Sequence, residues 1–340
     1  VGVSGREASL AIPPSWLGDA VLSLPALHAL AGLGPVALLA HPRVAPLFAL
    51  DGGLGRAEPF AGPVLSPAAW RQAARLRALR PARAVVFAPS LSAAARAAST
   101  GAPERVGIEA PGRSAFLNRR VRVPWPARSR HVADEFALVA RAAGAGAPDA
   151  APRLALGERT LEAGRSLLRA RGADPGAPLV AVCPGATYGP AKRWLPDRFA
   201  EIVRRAAAAG AVPLLLGGAA DRDVCADVGA RARGAGAIDL AGATDLAALA
   251  ALLALARVAV ANDSGPMHLA AAVGTPVVAL FGSTNPEWTA PRGPGHALLR
   301  HAVACSPCYR RTCPIGLLCF AGIDADVVWA AARERLAATR

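Results

Sequence analysis

Three short stretches of this 340-residue sequence combine residue types that can hold a phosphorylated ligand. The first, PGATYGPAKRWLPDRF, follows the apolar run Leu179 to Cys183. It sets two glycines, the Thr187 hydroxyl, Tyr188 and the adjacent cations Lys192 and Arg193 ahead of a helix that Asp197 is expected to cap. Amides opened by glycine, a hydroxyl and an ammonium make a diphosphate cradle. The competing reading is an ordinary strand-to-helix loop with solvated basic residues. The Walker spacing, GxxxxGK followed by Ser or Thr, is absent. In the second stretch an apolar run ends in Asn262, Asp263, Ser264 and Gly265, and a helix opens with Met267 and His268 in its first turn. Free amides and a positive dipole end at that point suit a pyrophosphate. Asp263 and Ser264 as helix caps, and His268 as a core histidine, remain open alternatives. The third, LLLGGAADRDVC, puts Asp221 after Gly217 and Gly218, where it either accepts ribose hydroxyls or caps a helix.

Near the N-terminus, PPSWLGDAVLSL places Asp19 at the start of a helix. A carboxylate there can take the proton of an attacking hydroxyl, or can simply be an acid favourably sited in a first helical turn. The composition adds one hint. Of 38 basic residues a single one is lysine, Lys192, in a chain crowded with Ala, Gly, Pro and Arg, the mark of a GC-rich genome. A lysine kept under such pressure suggests a place where a compact ammonium works and a planar guanidinium does not. The net charge of +14 favours anionic partners. Nucleic acid is disfavoured, because aromatics make up 5% of residues and are not interleaved with the basic ones as stacking platforms would be.

These residues need a scaffold, and the pattern supplies one. Short apolar runs alternate with longer Ala/Leu/Arg segments at helical spacing, the signature of βα units on a parallel sheet. Strands are expected at Ser9 to Ile12, Val36 to Ala40, Arg83 to Ala88 and Arg105 to Ile108, with helices at Asp19 to Ala31, Pro67 to Leu79 and Ser90 to Ser99. The Gly/Pro/Ala-rich segment Gly144 to Pro152 reads as a hinge. Beyond it, strands are expected at Leu179 to Cys183, Val212 to Leu216, Ala237 to Leu240, Val258 to Ala261 and Pro276 to Phe281. Helices are expected at Glu158 to Arg171, Asp197 to Ala209, Asp221 to Arg233, Asp245 to Leu255 and Gly265 to Val273. The expectation is an α/β protein of two Rossmann-like parallel-sheet domains with a cleft between them. The domains are residues 1–155 and 156–322, and a last helix over 323–340 packs back on the first. The most apolar stretch, Leu246 to Ala261, is too short for a membrane span and carries Arg257, so it reads as a buried helix followed by a strand. The opening VGVSGREASLAIPP has no cationic region followed by a sustained apolar one, which predicts a cytoplasmic protein, with Val1 an alternative start.

Taken together, SWLGDAVLSLPAL, PGATYGPAKRWLPDRFAEI and NDSGPMHLAAAVGTPVVALFGSTNPEWTAP resemble the ADP-heptose:lipopolysaccharide heptosyltransferases, glycosyltransferase family nine. The later run CSPCYRRTCPIGLLCF is similar to the members named heptosyltransferase II, although it reads Gly316-Leu317-Leu318 where those often have a histidine. The resemblance implies a GT-B fold and inverting transfer of L-glycero-D-manno-heptose from ADP-heptose to the inner-core heptose of heptosyl-Kdo-lipid A. It assigns Asp19 as general base, Thr187, Tyr188 and Lys192 to the donor, and Asp263, Ser264, Gly265 and His268 to a second donor-binding stretch; Asp221 matches weakly. Arg113, Arg119, Arg120 and Arg122 are candidates for an anionic acceptor at the cytoplasmic face of the inner membrane. Heptosyltransferase I, another family-nine transferase, and a nucleotide-sugar epimerase or hydrolase on the same architecture are the alternatives.

No cofactor is required by this reading. Cys305, Cys308, Cys313 and Cys319 form C-x2-C-x4-C-x5-C, and a cytoplasmic setting disfavours disulfides. Zinc is the lesser alternative, since the paired C-x2-C arrangement occurs once.

Overall fold

The computed structural model describes residues 8–146, 148 and 151–338. Val1 and part of the expected hinge, Ala147, Asp149 and Ala150, lie outside them. The chain divides into two compact units, Val1–Pro152 and Arg153–Arg340.

The first unit carries strands β1 (Ser9–Ile12), β2 (Val36–Ala40), β3 (Glu58–Pro59), β4 (Arg83–Val86), β5 (Glu104–Ile108) and β6 (Arg119–Val121). They form one parallel sheet ordered β3-β2-β1-β4-β5-β6. The second unit carries β7 (Leu179–Cys183), β8 (Val212–Leu215), β9 (Ile238–Asp239), β10 (Val258–Asn262), β11 (Val277–Phe281) and β12 (Ala297–Arg300), ordered β12-β11-β10-β7-β8-β9. Counted within each half, the order is the same. In both, the order reverses between the first and fourth strands, the place where open parallel sheets bind ligands beyond the carboxyl ends. The central strands β7, β10 and β11 are buried along their whole length, as a sheet covered on both faces requires.

The helices follow from local signals. Ser66 caps Pro67–Ala78 by accepting from the Ala69 amide, Ser90 caps Leu91–Ser99 through Ala93, and Asp245 caps the buried Leu246–Leu255 through Ala248. The stretch expected as one helix over Asp19 to Ala31 is two, Leu17–Leu22 and Leu24–Ala31. Pro25 lacks the N–H that a continuous helix would use and is tolerated only at a new first turn. Asp197 does not cap its helix: the cap position is Leu195, and Asp197 lies in the first turn of Pro196–Ala208. The C-terminal helix Ala325–Ala337 belongs to the second unit. Its buried Val328 and Ala332 join the core of the second unit beside Trp194, Phe199 and Phe320. Among the described residues, no helix is long and apolar enough to cross a membrane.

Candidate donor site and candidate base

The loops after β7 and β10 leave the second sheet on either side of its switch point and are joined there by Asn262. This side chain is fully buried. Its Nδ2 donates to the Pro184 carbonyl at 2.8 Å and its Oδ1 accepts from the Trp194 amide at 3.0 Å, so both ends of the glycine-containing loop are pinned to the tip of β10. Trp194 is itself buried and donates its indole N–H to the Ile323 carbonyl at 3.1 Å.

Within that frame Lys192 Nζ lies 2.6 Å from Asp263 Oδ2, with side chains 14% and 4% exposed. The same oxygen accepts from the hydroxyls of Thr284 at 2.7 Å and Thr289 at 3.1 Å, and His268 Nε2 stands 4.0 Å from the other carboxylate oxygen. Burial alone pushes the Asp263 carboxyl up. The charges of Lys192 and His268, with hydrogen bonds from Lys192 and Thr284, outweigh it and hold the group below the usual carboxylate range. The helix Gly265–Ala272 starts here with Ser264 at its cap position, yet no side chain caps it, and the buried Ser264 hydroxyl has no hydrogen-bond partner among the described residues. The result is an ammonium, a helix N-terminus and a hydroxyl at the carboxyl edge of adjacent parallel strands, an arrangement that can receive a diphosphate. Thr187 and Tyr188 lie at the exposed tip of the loop, and the Lys192 ammonium stands 5.7 Å from the Tyr188 ring centroid.

Asp221 sits apart from this cluster. It occupies the cap position of Arg222–Arg231 without capping by its side chain. The carboxylate is buried, accepts from the Gly218 amide at 3.0 Å and lies 3.8 Å from the Arg193 guanidinium. A Cβ on Gly185 would fall 2.2 Å from its Cγ. Asp221 therefore fills the space beneath the donor loop, and Gly185 and Gly217 leave room for it.

In the first unit Asp19 lies in the first turn of Leu17–Leu22, just beyond the carboxyl end of β1 at that sheet's switch point. Glu135, on the helix Val132–Ala142 that packs against it, is a carboxyl whose affinity for protons is raised by burial first, then by the charges of Asp19 and Asp134. The candidate acceptor arginines do not act as one patch. Arg119 is paired with Glu104 and Arg122 with Glu109, while Arg120 reaches the Leu117 carbonyl at 3.4 Å. Arg113 is not a loop-surface residue at all: it is 3% exposed, and its Nε and Nη2 have no hydrogen-bond partner among the described residues. Burial makes its guanidinium easier to deprotonate than usual.

Comparison with known proteins agrees with this geometry. The sequence model of glycosyltransferase family 9 (heptosyltransferase) matches residues 70–318, well over half of the chain. The chain belongs to glycosyltransferase family 9. Lipopolysaccharide heptosyltransferase 2 of Salmonella typhimurium is 36% identical over 117 residues, and its Escherichia coli counterpart 35% over 117. Each match covers 34% of this chain and 34% of the relative, so the chain spans about a third of the length of these curated relatives in alignment. The solved structure of Escherichia coli ADP-heptose lipopolysaccharide heptosyltransferase II superimposes with a TM-score of 0.83 at 25% identity, covering 97% of this chain and 98% of that one. The two six-stranded parallel sheets are thus those of a GT-B heptosyltransferase fold.

In this family-9 chain the structure joins Lys192, Asp263, Ser264, Gly265 and His268 within one unit; it gives Asn262, named by the sequence only as the end of a strand, a pinning role, and it adds Thr284 and Thr289, which the sequence reading did not single out. Thr284 and Thr289 lie in the motif run that follows β11, but nothing in their type announces a partner 21 and 26 residues away. Cys305, Cys308, Cys313 and Cys319 carry free thiols, and among the described residues no group of three or more His, Cys, Asp or Glu is arranged to hold a metal ion. Burial raises the Cys319 thiol.

Proposed function

We propose that this chain transfers L-glycero-D-manno-heptose from ADP-heptose to the inner-core heptose of heptosyl-Kdo-lipid A, with inversion at the sugar's reacting carbon. The observation that carries the reading is the buried pair of Lys192 and Asp263 at the open N-terminus of Gly265–Ala272, at the switch point of the second sheet. Lys192 and the helix N-terminus stabilise the charge that grows on the diphosphate as its bond to the sugar breaks, with His268 beside them. Asp19 takes the proton of the acceptor hydroxyl as that oxygen forms the new glycosidic bond. The leaving group is ADP. No metal ion is needed for this step, since the cationic groups at the diphosphate come from the chain. Thr187 and Tyr188 border the donor, whereas Asp221 supports the loop from beneath instead of meeting the ribose.

The acceptor is anionic, and Arg113 contributes to its binding as a buried positive charge, its guanidinium being covered and out of direct reach of a bound group. Arg119, Arg120 and Arg122 supply a more diffuse positive field. The protein works in the cytoplasm, at the inner membrane surface. In the first unit the outward side of Pro67–Ala78 and its flanks bears Leu65 (81% exposed) and Trp70 (63%) among Arg71, Arg75, Arg77 and Arg80, chemistry that suits an anionic bilayer.

The test is incubation with ADP-heptose and a heptose-truncated lipopolysaccharide. ADP release that requires the acceptor is expected. Asp19→Asn should lower kcat by about 10²–10⁴-fold while the donor KM stays within a factor of two or so. Donor turnover at the same rate without acceptor would point to a hydrolase or epimerase and overturn the reading.

A further inference from the structure

The cysteine-bearing segment between β12 and the short helix Leu318–Ala321 contains no helix or strand, yet it is tied to the loops after β7 and β11, both of which send side chains to Asp263. On one side the Tyr309 amide donates to the Ser283 carbonyl at 2.8 Å and the Ser306 hydroxyl to the Gly282 carbonyl at 2.6 Å; the Trp288 and Tyr309 rings meet edge to face at 5.9 Å. Those contacts fix it to the loop after β11, which also carries Thr284 and Thr289.

On the other side it grips the loop after β7. The Arg311 Nε donates to the Tyr188 carbonyl at 2.9 Å, the Ala191 amide donates to the Arg311 carbonyl at 3.0 Å, and the Tyr188 hydroxyl donates to the Tyr309 carbonyl at 2.7 Å. The backbones approach so closely that a Cβ on Gly189 would lie 2.5 Å from the Arg311 carbonyl oxygen. The Tyr188 ring has the Arg311 guanidinium 5.5 Å and the Lys192 ammonium 5.7 Å from its centroid.

We propose that this segment is a strap that sets the donor loop, and that Arg311 is the positioning residue through which it places Lys192. The inference rests on the donor reading above. The residue whose amide meets the Arg311 carbonyl is Ala191, the immediate neighbour of Lys192. Ser306, Tyr309 and Arg311 together bridge the two loops whose side chains converge on Asp263. Arg311 is exposed and joins no hydrophobic core, so a purely packing role does not account for it. Its side chain holds the carbonyl of Tyr188 and faces the same ring that Lys192 faces, so losing it frees the loop tip without emptying the core.

The test measures ADP binding by titration calorimetry, donor KM and kcat, and the thermal midpoint on the full chain for wild type, Arg311→Ala, Arg311→Lys, Arg310→Ala and Lys192→Ala. Arg311→Ala should weaken ADP binding and raise donor KM about tenfold, as loss of a charge-assisted hydrogen bond would. Its kcat should stay within roughly twofold and its midpoint within about 2 °C, the usual range for an exposed side chain. Arg311→Lys should regain most of the affinity, because an ammonium can reach the same carbonyl, and Arg310→Ala should bind as wild type. Wild-type affinity in Arg311→Ala alongside weakened Lys192→Ala overturns the strap alone, as does equal weakening by Arg310→Ala. Wild-type affinity in Lys192→Ala overturns the donor reading and the strap with it.

Discussion

Replacing Lys192 by methionine, alone and together with Asp263→Asn, separates what the pair does for the fold from what it does for the ligand. In the single variant Asp263 keeps the Thr284 and Thr289 hydroxyls but loses the ammonium 2.6 Å away, inside a site where both side chains are mostly covered. Removing one partner of a buried pair costs ~3–5 kcal/mol, and because the two hydroxyls remain and Lys192 is partly exposed, a value at or just below that range, about 2–3 kcal/mol, is expected. For a unit of this size that is a fall in Tm of roughly 5–10 °C. The pH dependence has a definite sign. Asp263 is held below the usual carboxylate range, so its contribution is present above that range and lost as pH falls through the folded value. The gap between Lys192→Met and wild type should therefore be widest near neutrality and shrink in acid. Asp263→Asn in the Lys192→Met background removes the stranded charge while an amide oxygen can still accept from the threonines, and most of the Tm should return. ADP affinity, by calorimetry, should fall ~10–100-fold in the single variant and stay low in the double. Recovery of ADP binding in the double variant, or an unchanged Tm at neutral pH in the single one, would refute the argument.

Three further outcomes follow from particular contacts. Glu135→Gln removes a half-buried carboxyl beside Asp19, so the acid limb of the kcat profile should move to lower pH; an unmoved limb would disconnect the two groups. Asn262→Ala strands the Trp194 amide and the Pro184 carbonyl, at a cost of about 2–3 kcal/mol, and amide exchange should accelerate across residues 184–194 before anywhere else in the second unit. Trp70→Glu should reduce co-sedimentation with vesicles containing phosphatidylglycerol while leaving ADP affinity unchanged; equal sedimentation would remove that helix from the membrane face.

The central strands were legible because burial on both faces makes them uninterrupted apolar runs: β1, β2 and β7 have the bounds the sequence suggests. The edge strands were not. β3 has two residues, β6 is mostly Arg, and the three apolar residues of β12 alternate half-buried with exposed positions; the exception among the edges is β9, expected over Ala237 to Leu240 and found at Ile238–Asp239. The helix Val132–Ala142 also escaped, although Val132, Phe136, Val139 and Ala140 mark its buried face. In the site, Lys192, Asp263 and His268 stand out by type and by their place after a strand. Asn262 and Arg311 act on partners 68 to 123 positions away, a relation that no local spacing encodes. Arg113 shows the converse error: grouped by sequence with three exposed arginines, it turns inward because it lies on the short 3-10 turn Arg113–Phe116, against the Leu91–Ser99 helix and Gly107 of β5.

One oxygen atom, Asp263 Oδ2, takes bonds from Lys192, Thr284 and Thr289, residues that belong to the loops after β7 and β11, while the aspartate itself follows β10. Three adjacent strands thus hand their ends to a single acceptor. Substitutions in these loops cannot be tolerated independently, since each alters the protonation and the bond geometry that the others depend on, and their effects on stability should combine non-additively. Across homologous sequences the four positions should change as a set or not at all, a pattern of joint inheritance in which the history of one loop constrains the other two.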